Sequence, residues 1–133
     1  MSVDHSKLIS AARDLLERPD PTTAGIWPRA SALLARQALE STLDELWRRR
    51  ALGVELCSAK AQLLCLPTFL GDPEFAGHVS YTWAGLSRAC HQHPYELPPT
   101  SLELLDWIGT VEQLSERVKS ICVDKATTNR TRS

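Results

Sequence analysis

The sequence predicts an all-α fold, an up-and-down bundle of four main helices plus a short one, and three observations carry that prediction. Apolar residues recur at three- and four-residue steps along most of the chain, the period of helices with one buried face. Proline, glycine and short polar capping residues separate these segments. No run with a two-residue alternation bounded by turn signals occurs, and neither a glycine-rich phosphate loop nor an internal repeat is present. A chain of 133 residues has material for one core and not for two, so residues 1–123 read as a single domain and 124–133 as a disordered tail.

The first helix is expected over about Asp4 to Arg18, where Leu8, Ile9, Ala12, Leu15 and Leu16 share a face. Pro19-Asp-Pro21 ends it, because proline disfavours helical geometry in the residue before it, and Thr22 to Gly25 form a linker. Pro28 suits the first turn of the longest helix, which continues to about Arg50 with Ala32, Ala35, Leu39, Leu43, Leu46 and Trp47 as its core stripe. Arg36, Glu40 and Asp44 lie one turn apart on its flank. They read as a solvated charge ladder, with a functional carboxylate as the competing reading. Arg48-Arg-Arg50 suits the negative end of the helix dipole, the alternative being a patch that guides RNA.

Ser58 is placed to cap a short third helix carrying Ala61, Leu63, Leu64, Cys65 and Leu66, with Pro67 and Gly71 as breaks after it. Asp72-Pro73 is a cap and first-turn pair for the fourth helix, whose core stripe is Phe75, Val79, Thr82 or Trp83, Leu86 and Cys90. His78, Tyr81, Arg88 and His91 fall on a neighbouring polar stripe, with Tyr81 and Arg88 stacked two turns apart. Thr100 followed by Glu103 is a capping box opening the fifth helix, whose apolar face runs through Leu104, Trp107, Ile108, Val111, Leu114, Val118 and Ile121.

The bulk numbers narrow the function. A net charge of −1 excludes binding to nucleic acid by bulk positive charge, but not an RNA enzyme with one basic pocket. No signal-like leader and no spanning apolar run is seen, so a cytoplasmic protein without a membrane segment is expected. The cysteines Cys57, Cys65, Cys90 and Cys122 form no CxxC pair and sit in apolar helical patterns, so they read as reduced core thiols.

The chemistry-bearing residues concentrate in Arg88-Ala-Cys-His-Gln-His-Pro-Tyr95. Pro94 forces His93 out of helical geometry, which stops the helix near Gln92 and frees His93 to approach Arg88. A helix C-terminus favours protonated imidazole. A guanidinium that holds a phosphate beside a histidine that moves protons is a phosphodiester-cleaving pair. A metal site from His78, Cys90, His91 and His93 is disfavoured, since the two closest histidines are not an i,i+4 pair and no acidic ligand is near in sequence. Cys90 as nucleophile is disfavoured by its place on the core stripe. No cofactor is expected.

The spacing Arg88, four residues, His93, one residue, Tyr95 resembles the R-x4-H-x-Y motif of HEPN-domain ribonucleases, which lies at the end of a long helix in an all-α bundle. The resemblance implies metal-independent RNA cleavage by 2′-hydroxyl attack, in a cleft between the protomers of a homodimer. It implies that Arg88 stabilises the phosphorane and His93 acts as general acid or base. Tyr95 matches the tyrosine that an antitoxin-type nucleotidyltransferase modifies with AMP in toxin–antitoxin members. Supporting roles fall to His91 and Tyr81, and to Glu40 or Asp44 as the acidic residue often found on an earlier helix. Ala89 stands where the family often has Asn, Asp or His. A non-catalytic helical module that binds a partner protein or a nucleotide is the second reading.

Overall fold

The computed structural model describes residues 5–17, 27–91 and 97–131, with side chains as far as Val123. Helix α1 spans His5–Glu17, α2 Trp27–Arg50, α3 Ala59–Leu70, α4 Pro73–Cys90 and α5 Ser101–Thr131, and a 3-10 turn lies at Val54–Leu56. There is no strand among the described residues, so the chain is all-α. The linker expected at Thr22 to Gly25 lies outside them.

The longest apolar stripe makes α2 the centre of the helical bundle, packed against α1, α4 and α5, while α3 packs on α4. All six residues expected on that stripe are buried, and Ala38 joins Ala32 and Ala35 in presenting only a methyl group to its neighbours. Leu39, Leu43, Leu46 and Trp47 meet Val79 and Leu86 of α4 and Leu104, Ile108 and Leu114 of α5 in one core. Each such leucine contributes about 2 kcal/mol on leaving water. Ser31 Oγ donates to the Ala12 carbonyl at 3.1 Å, fixing α1 against α2 without leaving a buried hydroxyl unpaired.

Each cap expected from sequence forms. Ser58 Oγ accepts the Ala61 N–H at 3.2 Å, and Asp72 Oδ1 accepts that of Phe75 at 3.0 Å. At α5 the box is reciprocal: the Glu103 N–H donates to Thr100 Oγ1 at 3.1 Å, and the Thr100 N–H and hydroxyl reach Glu103 Oε1 at 3.2 Å. Arg117 of α5 donates to the other oxygen of Asp72 at 2.9 Å, and its guanidinium lies 3.9 Å from the centre of the Phe75 ring. That clamp joins the start of α4 to the middle of α5.

Three expectations need correction or refinement. Pro67 does not break the chain but lies inside α3, which loses only the bond to the Leu63 carbonyl and ends at Gly71, in left-handed geometry with φ 65°. Cys57 and Cys65 are exposed, unlike the buried Cys90 and Cys122. Cys57 lies at the end of the 3-10 turn, outside any helix stripe, and α3 buries a single stripe, Leu63 and Leu66, which leaves Leu64 82% exposed beside Cys65. Finally, α5 is continuous to Thr131, past the point where its apolar period stops. The side chains of the stretch expected as a tail, 124–133, lie outside the described residues. No described helix is long and apolar enough to cross a membrane.

Candidate functional site

Helix α4 ends where the sequence places the polar cluster. His91 leaves helical geometry at φ −109° and its N–H is shared between the carbonyls of Ser87 and Arg88, each at 3.2 Å. Arg88 occupies the last turn and is exposed. Among the described residues its guanidinium makes no hydrogen bond or ion pair. Two turns earlier Tyr81 is 63% exposed, so the two do share a stripe.

Gly85 lies between them, and here the missing side chain matters. Trp107 of α5 rests directly on it, so close that a Cβ on residue 85 would stand 2.6 Å from Trp107 Cζ2. The contact brings α5 down onto α4 and leaves a cavity of about 400 Å³ beside it. Tyr81, Gly85, Arg88 and Ala89 line the α4 side, while Leu97 to Thr100, Glu103 and Trp107 line the other. Arg88 and Glu103 thus border one cavity without pairing with each other.

A second group lies on the adjoining flank, between α4 and α2. Arg36 Nε donates to Glu40 Oε1 at 3.0 Å, and Arg36 Nη1 lies 3.5 Å from His91 Nε2, the outer limit of a hydrogen bond. The same guanidinium lies 5.7 Å from the centre of the Trp83 ring. Burial alone would lower the Arg36 pKa; hydrogen bonding and charge attraction from Glu40, and then contact with Cys90, more than offset it and leave the pKa raised. Glu40 is therefore the rung of the ladder that reaches the end of α4, through Arg36. Asp44 is not part of this linkage. Burial, reinforced by Glu40 and Glu55 and opposed by Arg48, raises its carboxyl above the ordinary range.

His93 and Tyr95 lie outside the described residues. The described part of the site is thus two groups: Arg88 with Tyr81 at the cavity, and Glu40 with His91 bridged by Arg36. Among the described residues no three His, Cys, Asp or Glu side chains converge to hold a metal ion; His93, one of the four weighed, is outside them.

One constellation was missed by the sequence reading. Ser115 Oγ lies 2.7 Å from His5 Nδ1, and His5 Nε2 lies 3.0 Å from Glu45 Oε2. A carboxylate only accepts, so Nε2–H donates to Glu45, while Nδ1 and the serine hydroxyl share the other hydrogen bond. The residue types are those of a serine hydrolase triad, but Ser115 is 3% exposed in the middle of α5. The amides next to Ser115 in the chain are committed to the hydrogen bonds of α5. The network joins α1, α2 and α5 as structure. Its signal was present in the sequence: His5 precedes Ile9 and Ala12 on the buried stripe of α1, and Ser115 follows Val111 on that of α5.

No family model, curated protein or solved structure matches the chain.

Proposed function

We propose that the protein is a HEPN-like, metal-independent endoribonuclease, acting as a homodimeric toxin or stress effector with a bundle of four main helices. The single observation that carries this reading is the guanidinium of Arg88, without a partner among the described residues, exposed at the last turn of a long helix and beside a cavity, at the head of the R-x4-H-x-Y spacing. An unpaired arginine is available for a phosphate in a way that a salt-bridged one is not.

In this reading Arg88 holds the scissile phosphate and the charge that develops on it. His93 removes the proton from the ribose 2′-hydroxyl or returns one to the leaving 5′-oxygen. His91, oriented by Arg36 and through it by Glu40, supplies a second imidazole close to the site. Exposed apolar surface at Leu33 and Tyr81 is suited to pairing of two bundles. Tyr95 is the position an antitoxin-type nucleotidyltransferase would modify.

The test is cleavage of a varied RNA pool in EDTA. Wild type should cut, and Arg88→Ala and His93→Ala should each lose at least about a hundredfold in rate with melting unchanged. Wild-type protein inert on the pool, alone and with its binding partners, would remove the enzyme reading. The second reading, a non-catalytic module for a partner protein or a nucleotide, is favoured by Ala89, which is 5% exposed and offers no polar group where the family often has one.

A further inference from the structure

We infer that the cavity beside Arg88 is a binding site for a guanine nucleotide, with Glu103 as the residue that selects the base. Its walls suit a flat ring. Tyr81 and Trp107 are aromatic, Pro99 is rigid, and the absent side chain of Gly85 lets the Trp107 ring sit against α4 at the cavity's edge. A volume of about 400 Å³ lies in the range of small-ligand sites.

The polar groups decide the ligand class. Glu103 is held in place by the capping box, which uses Oε1 alone; Oε2 has no partner among the described residues. A fixed carboxylate is acceptor-only and calls for hydrogen-bond donors on the ligand. Guanine presents two adjacent donors, N1–H and N2–H, on one edge. Adenine and cytosine each set a single amino group beside a ring nitrogen whose lone pair repels a carboxylate, and uracil sets one N–H between two carbonyls. Arg88 lines the same cavity and its guanidinium has no partner among the described residues, which calls for an acceptor or anion on that side of the ligand. A base with its own phosphate satisfies both. An oppositely charged pair that shares a cavity without closing on itself is what such a ligand requires.

The shared chemistry is a guanosine monophosphate unit, either free or within RNA. As the base preference of a ribonuclease, the assignment rests on the function proposed above; as a nucleotide site it does not. Calorimetric titration of the full chain with GMP, AMP, CMP and UMP at fixed salt tests it. GMP should bind at least tenfold more tightly than the other three. Glu103→Gln, which preserves the capping box because Gln serves in it equally, should cut that preference below about threefold with melting unchanged. Arg88→Ala should weaken all four nucleotides together, since it contacts phosphate. Equal binding of GMP and AMP, or a preference that survives in Glu103→Gln, overturns the assignment.

Short RNAs with and without guanosine distinguish the sources. Guanosine-dependent binding at least as tight as that of GMP supports an RNA ligand, and binding of GMP alone supports the free nucleotide. RNA cleavage without guanine preference and without GMP binding sinks the site and leaves the ribonuclease standing. GMP binding without cleavage does the reverse.

Discussion

Two polar constellations in this bundle contrast sharply. His5, Ser115 and Glu45 have the residue types of a catalytic triad, yet every hydrogen bond the imidazole can make is already made, and the serine is closed off. Arg88, Tyr81 and Glu103 have no such signature, yet they border an open cavity with a guanidinium and a carboxylate oxygen that are unpaired among the described residues. Residue type proposes a chemistry; unspent hydrogen-bonding capacity at an accessible surface is what permits it. The first group holds three helices together, and the second leaves room for a ligand.

The contrast is strongest at His5. His5→Ala should cost about 2–3 kcal/mol in urea unfolding, because Ser115 Oγ loses its partner in the interior and a gap opens between α1 and α5. RNA cleavage or nucleotide binding per folded molecule should not change. If activity falls while stability holds, the network is chemical after all, and the comparison breaks.

Gly85→Ala tests the opposite side and has an intermediate effect. The added methyl meets Trp107, so stability should drop by about 1–2 kcal/mol. Because the ring must shift beside the cavity, ligand binding should weaken more than stability alone explains. Thermal melting with and without GMP separates the two.

The smallest effect concerns Asp72, which belongs to neither group. The Phe75 N–H, then Arg117, hold its carboxyl below the ordinary carboxylate range. A depressed carboxylate stabilises the fold above the ordinary aspartate pKa of about 4, and that contribution is lost as pH falls through the lowered value. Asp72→Asn keeps a capable cap, so its melting deficit should be present at neutral pH and vanish in strong acid. A deficit constant with pH would show that the charge contributes nothing.

The local features were readable from sequence because neighbours in the chain settle them. Thr100 with Glu103, Asp72 with Phe75 and the apolar stripe of α2 each involve residues within a turn or two. The alignment of Tyr81 with Arg88 follows from helical period in the same way. What was hidden depended on other helices. Pro67 looked like a break, yet it sits within α3 where Leu63 and Leu66 are held in the core. Cys65 looked like core, yet α3 shows only one face to α4. The linkage of Glu40 to His91 needs Arg36 to reach across from α2 to α4. Gly85 was silent, since its meaning lies wholly in Trp107 above it. His93 and Tyr95, the remaining residues of the motif, lie outside the described residues.

The clamp of Arg117 on Asp72 and Phe75 has a mechanical consequence. Helices α4 and α5 are fastened at the start of α4, touch at Gly85 and Trp107, and part at Arg88 and Glu103. From Phe75 to Arg88, α4 runs about 20 Å at 1.5 Å per residue. Arg117 anchors it at one end and Trp107 packs on it near the other, so Arg88 and Glu103 border the cavity within about a turn of a packed contact and not on a free helix end.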